Sequence, residues 1–147
     1  MTLAALIQEL PELIACRGDA AAEIGELTAD SRKAMEKGLF FRIVGQKLDA
    51  HDFAGQAIQN GCAALVVERL LPGQEVPQVL VSDARAAMAR IAAAFYGHPA
   101  RRLKLLGVTG TKGKTTATYL IKAICEQAGY SCGLIGTTGN MFGKETL

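Results

Sequence analysis

Gly110, Gly113, Lys114, Thr115 and Thr116 follow directly on an apolar run, Leu105 to Val108, and lead directly into an apolar helical pattern. Residues of these types at this spacing hold phosphates. Glycine lets backbone N–H groups close on phosphate oxygens where a Cβ would intrude, and a helix N-terminus adds partial positive charge. Lys114 can reach the terminal phosphates, and the Thr115 hydroxyl is placed to ligand Mg2+. The segment therefore reads as a nucleoside triphosphate site. It departs from the usual phosphate-loop pattern at one place: a glycine is expected five positions before the Gly-Lys pair, and Val108 stands there. On the residues alone, a Gly-rich strand-to-helix turn with solvated lysines stays open beside the functional reading.

The elements that must position this loop are a strand over Leu103–Val108, a helix over roughly 114–128 and a strand at Gly133–Gly136. That order is how a parallel α/β sheet begins. Upstream, Leu3, Leu6, Ile7, Leu10, Leu13 and Ile14 fall at helical spacing behind Thr2 as a cap, with Pro11 marking a kink or break near Leu10. Short strands are expected over Glu23–Thr28, Leu39–Val44, Ala63–Glu68 and Gln78–Ser82. Helices are expected over Asp52–Asn60, stopped by Gly61, and from a Ser82 or Asp83 cap through Phe95. The break at Tyr96-Gly97-His98-Pro99 reads as a domain boundary. It divides a domain at 1–98 from the start of a nucleotide-binding domain at 99–147. The fold class is α/β, and so late a phosphate loop makes the chain read as the N-terminal piece of a longer enzyme.

The chain has 147 residues, half of them hydrophobic, and a net charge of +2. That balance gives no support for a broad basic face binding nucleic acid. Arg101, Arg102 and Lys104 read as a solvated linker. No run approaches the ~20 apolar residues of a membrane span, and no secretory signal opens the chain, so a cytoplasmic location is expected. Cys16, Cys62, Cys125 and Cys132 are scattered without a CxxC pair and read as reduced core thiols.

The pattern Thr28-x-Asp30-Ser31-Arg32, Gly38-x-Phe40-Phe41, Gly45, Asp49-x-His51-x-Phe53, Ala57-Ile58 and Val66-Val67-Glu68 resembles the first domain of Mur ligases. Gly107 to Thr116 and Gly133-Leu134-Ile135-Gly136-Thr137 resemble the start of their ATP-binding central domain. Within the family, the pattern is most similar to members that add the third peptide residue to UDP-N-acetylmuramoyl-L-alanyl-D-glutamate. The resemblance implies a small UDP-sugar-binding α/β domain followed by the first β-loop-α-β unit of an ATP domain. It implies an acid–amino-acid ligase of peptidoglycan synthesis, in which ATP activates a carboxylate as an acyl phosphate for attack by a diamino acid, diaminopimelate or lysine.

Carried over by motif, Gly110, Thr111, Lys112, Gly113, Lys114, Thr115 and Thr116 form the ATP loop. Lys114 and Thr115 are the catalytic candidates, Thr115 toward Mg2+. Lys112 stands where the family often has Asn. Ala29 and Ser31 match positions that hold the UDP-sugar, as do Gln46, Lys47 and Leu48. Arg32 beside them suits a diphosphate. His51 reads as a capping or packing residue, with a nucleotide-sugar contact as the alternative, and Thr137 and Thr138 approach substrate or merely end a strand. The family's remaining catalytic and amino-acid-selecting parts would lie beyond Leu147, so the chain by itself is expected to be inactive. Other readings are a phosphate-loop kinase or NTPase, another Mur or folylpolyglutamate-type ligase, and a non-catalytic nucleotide-sugar module.

Overall fold

Leu39-Phe40-Phe41 and Leu65-Val66-Val67 are unbroken apolar runs, the pattern of parallel strands covered on both faces. A computed structural model describes residues 1–43 and 51–146, with His51 and Asp52 described by their backbone alone. Two compact units divide the chain, Met1–Leu103 and Lys104–Leu147. The first contains α1 (Leu3–Ile7), β1 (Leu13–Arg17), β2 (Glu26–Thr28), β3 (Gly38–Phe41), α2 (His51–Gln59), β4 (Ala64–Val67), β5 (Gln78–Val81) and α3 (Ala84–Phe95). Single 3-10 turns stand at Ser31–Lys33 and Pro99–Arg102.

The strands form one five-stranded sheet in the order β1-β5-β4-β3-β2. β2, β3, β4 and β5 run parallel, while β1 closes one edge antiparallel to β5. Every residue of β3 and β4 is buried, because successive side chains enter different cores. Leu39, Phe41, Ala64 and Val66 pack with Leu3, Leu6 and Ile7 of α1 and with Ala84, Ala87 and Ile91 of α3. Phe40, Leu65 and Val67 pack on the other face with Ala54 and Ala57 of α2. The sheet is therefore sandwiched by helices, the arrangement the α/β reading requires.

The expected helix over residues 2–14 is only partly formed. Thr2 caps α1 as expected, accepting from the Ala5 N–H, but the helix ends at Ile7. Leu13–Arg17 is instead strand β1, with Leu13 opposite Val81. Pro11 cannot continue the helix, and the edge of β5 offers Leu13 and its neighbours a ladder that a helix would forgo. Asp83 is the cap of α3, accepting from the N–H groups of Arg85 and Ala86, and Glu68 at the end of β4 accepts from Ala84 N–H beside it. Between β4 and β5, the buried side chain of Gln78 both accepts from the N–H and donates to the C=O of Leu71, each at 2.9 Å. That carboxamide closes the base of the Pro72–Pro77 loop as a neighbouring strand would. Gly97 and His98 take positive φ, 71° and 53°, where α3 gives way to the turn at Pro99.

The second unit contains α4 (Lys114–Gln127), β6 (Gly133–Gly136), β7 (Gly139–Phe142) and β8 (Glu145–Thr146). Two expectations fail here. Leu103–Val108 forms no strand, since no chain among the described residues pairs with it, and Leu105 and Leu106 remain more than 70% exposed. The three strands after α4 form an antiparallel meander rather than a parallel pair. Two-residue connections at Thr137-Thr138 and Gly143-Lys144 turn the chain back, and Gly143, at φ 57°, takes a conformation that favours glycine. Lys122 of α4 ties this ribbon down, donating to Glu126 at 2.7 Å and to the Gly143 carbonyl at 2.6 Å. Among the described residues, no helix is long and apolar enough to cross a membrane.

Candidate functional site

Two places carry the residues singled out above, one in each unit. In the second unit, the chain from Thr109 to Gly113 is a loop whose glycines adopt positive φ, 149° at Gly110 and 77° at Gly113. Both values favour glycine, so the spacing of the two glycines is a conformational requirement here. Gly113 is the N-cap of α4 and provides no side-chain hydrogen bond. The first-turn N–H groups of α4 thus lack a side-chain cap, and the helix end presents them with its partial positive charge. Residues 109–116 are all exposed. Lys114 folds its ammonium onto the Gly110 carbonyl at 2.5 Å, spanning the loop it would share with a phosphate. The Thr118 hydroxyl donates to the Thr115 carbonyl, leaving the Thr115 hydroxyl outside the capping network. A triphosphate with Mg2+ fits this donor set. Thr138 lies 3.2 Å from the Tyr119 hydroxyl on α4, an internal contact for one of the two threonines after β6.

In the first unit, Ala29, Ser31 and Arg32 stand in the turn that follows the carboxyl end of β2, at the edge where open parallel sheets hold ligands. Asp30 organises the turn. Its carboxylate accepts from the Arg32 backbone N–H and takes both Nε and Nη2 of the Arg32 guanidinium, at 2.9 and 2.8 Å. The side-chain hydrogen bond from Arg32 is the main reason the Asp30 carboxyl is held down to about 2. Ala29 and Arg32 are exposed, but Ser31 is only 5% exposed. The Ser31 hydroxyl donates to Oε1 of Gln56 at 2.7 Å, and Nδ2 of Asn60 donates to the Ser31 carbonyl at 2.9 Å. Gln56 and Asn60 stand one helical turn apart at the end of α2, so both reach the same turn. Sequence reasoning missed these two residues. Their i, i+4 spacing was the available signal, but nothing in the sequence joins Gln56 to a serine 25 positions away. Arg42, just past β3, is buried as well. Gln46, Lys47 and Leu48 lie outside the described residues, and His51 is placed only as the first residue of α2.

The turn and the loop keep the order and spacing of a known pair of domains. The family description "Mur ligase family, catalytic domain" matches residues 23–96, half of the chain. The chain belongs to the Mur ligase family. A second description, "Mur ligase middle domain", matches residues 108–147 and so takes in the phosphate loop. Among Mur ligase relatives, the UDP-N-acetylmuramoyl-L-alanyl-D-glutamate–2,6-diaminopimelate ligase 1 of Clostridium acetobutylicum is 45% identical, over 100% of this chain and 30% of its own length. The corresponding ligase of Geobacillus thermodenitrificans is 47% identical, over 99% of this chain and 29% of its own length. A solved structure of a UDP-N-acetylmuramoyl-L-alanyl-D-glutamate–2,6-diaminopimelate ligase matches with a TM-score of 0.76 at 26% identity, over 99% of this chain and 30% of that one. The Mur ligase MurF from Acinetobacter baumannii matches with a TM-score of 0.69 at 30% identity, over 86% of this chain and 27% of that one. The chain thus spans about 30% of the length of these curated Mur ligases.

Proposed function

We propose that this chain supplies the nucleotide-sugar-binding and ATP-loop parts of a ligase of peptidoglycan synthesis. The ligase joins a diamino acid to UDP-N-acetylmuramoyl-L-alanyl-D-glutamate. The observation that carries the reading is similarity along nearly all of this chain, at 45% and 47% identity, to about 30% of the length of two proteins named for that reaction with 2,6-diaminopimelate. Those names favour diaminopimelate over lysine as the added residue. In this reading residues 1–98 hold the UDP-sugar and residues 99–147 open the ATP domain. The location is the cytoplasm, where the nucleotide-linked precursor and ATP are both available.

The residues of the loop have defined tasks. The N–H groups of Gly110 to Thr116 surround the phosphates. Lys114 exchanges the Gly110 carbonyl for β/γ-phosphate oxygens, and Thr115 offers its hydroxyl to Mg2+. When bound, Mg2+ neutralises charge that develops on the transferring phosphate. Lys112, exposed beside Lys114, adds a second cation near the terminal phosphate. On the first unit, Ala29, Ser31, Arg32, Gln46, Lys47 and Leu48 form the nucleotide-sugar side. Arg32 shares its guanidinium between Asp30 and a diphosphate oxygen, which the exposure of that pair permits.

Calorimetric titration of the 147-residue chain with UDP-N-acetylmuramoyl-L-Ala-D-Glu, UDP and Mg-ATP tests the reading. Heat from both the uridine ligands and ATP supports it. ATP binding without any response to uridine ligands favours a phosphate-loop kinase or NTPase instead. The chain alone, given ATP, Mg2+ and both substrates, is expected to release no phosphate above background in a coupled phosphate assay.

A further inference from the structure

Ser31 is almost wholly buried, and its hydroxyl proton is committed to Gln56 Oε1 at 2.7 Å. A ligand lying on this edge of the sheet therefore does not meet a free serine hydroxyl. It meets Gln56, which is exposed. One end of that carboxamide is held by Ser31, and its Nε2 has no hydrogen-bond partner among the described residues. Asn60 grips the carbonyl of the same turn from one helical turn further on, so α2 is fastened to the turn at two points. Arg32 is differently placed, its guanidinium already paired with Asp30. A primary amide pinned through its oxygen displays two N–H donors in a set direction.

We propose that Gln56 is a specificity-determining contact for the nucleotide of the UDP-sugar, and that Ser31 is its positioning residue. The proposal rests on the UDP-sugar reading above. Ser31 orients the carboxamide, and Nε2 donates to an acceptor oxygen of the ligand, either a uracil carbonyl or a diphosphate oxygen. The geometry transfers to Gln56 the direct contact that motif alone assigns to Ser31.

The test is calorimetric titration of the 147-residue chain and its variants with UDP and with CDP, alongside melting temperature and Mg-ATP binding. Glutamate at position 56 still offers an oxygen to the Ser31 hydroxyl but has no N–H to give. Gln56→Glu is therefore expected to keep the melting temperature and ATP binding and to lose about tenfold or more in UDP affinity. Loss of preference for UDP over CDP would place the contact on the uracil O4, whereas equal losses for both would place it on the pyrimidine O2 or the diphosphate, which the two ligands share. Ser31→Ala and Gln56→Ala are expected to be non-additive when combined, since one acts through the other. Gln56→Glu binding UDP as the wild type does would overturn the proposal, leaving Gln56 as a mere acceptor for Ser31. A second measurement needs no variant: UDP should shift the Gln56 side-chain amide signals in the NMR spectrum of the wild-type chain. Signals that stay in place on saturation with UDP would also overturn it. A wild-type chain indifferent to UDP would overturn the UDP-sugar reading, and this proposal with it.

Discussion

Lys114 donates a hydrogen bond to the Gly110 carbonyl within its own loop, so in the proposed reading a bound phosphate would replace that neutral oxygen partner with a charged one. Lys114→Ala is expected to weaken Mg-ATP binding about tenfold to a hundredfold, the range for losing a hydrogen bond to a charged group, with the fold intact by circular dichroism. At Asp30, pairing with Arg32 lowers the folded-state pKa from 3.8 to about 2. The unfolded chain then binds more protons within that window. The pair's contribution to stability is present above the unfolded value and is lost as pH falls through about 2. A carboxyl NMR titration should place the Asp30 midpoint near 2, and Arg32→Gln should return it toward the usual carboxylate range. Burial pushes the Cys62 thiol up to about 11, so alkylation at neutral pH should wait on unfolding while thiol reagents find the other cysteines first. At this scale the Gly-rich turn into α4, the candidate phosphate loop, was legible in the sequence, because its requirements are local: two glycines, a lysine and a threonine within six residues. The Ser31 contact was not, because burial and a partner on another element decide what a hydroxyl can touch.

The elements respond to different changes. Asp83 takes two N–H groups at the start of α3, and Asp83→Ala is expected to cost about 1 kcal/mol in denaturant unfolding. Lys122 carries more of the second unit, being mostly buried and bonded both to Glu126 and to the Gly143 carbonyl. Lys122→Ala should cost about 1.5–3 kcal/mol and speed amide exchange across β7 and β8. Legibility also varied by element. β3 and β4 read directly because strands covered on both faces are continuously apolar. β1 did not, since Leu10, Leu13 and Ile14 continue the spacing of α1 and only the edge of β5 decides between helix and strand. β7 and β8 are short, and their residues alternate too little to mark them. Leu103–Val108 shows the opposite error, an apolar run without the neighbour that would make it a strand.

The first unit has a sheet covered on both faces by its own helices, and this sets how the molecule should unfold. Residues 1–103 alone are expected to melt cooperatively, close to the temperature of the corresponding transition in the 147-residue chain, as calorimetry would show. Phe41 is among the largest fully buried side chains of that unit, and Phe41→Ala should cost about 3–5 kcal/mol of its stability. The second unit differs in surface character. Leu105, Leu106, Leu120, Ile124, Ile135 and Phe142 are all exposed there, so concentration-dependent association should appear in sedimentation before any in the isolated 1–103 segment. The carboxamide of Gln78, which closes the base of the Pro72–Pro77 loop, bears on how this protein could be labelled. With the loop's ends clamped together by that side chain, extra residues spliced in at Gly73-Gln74 add chain without disturbing the register of β4 and β5. The loop is thus a natural place to graft an affinity tag or a fluorophore-acceptor peptide, since it is separate from the Ser31 turn that follows β2.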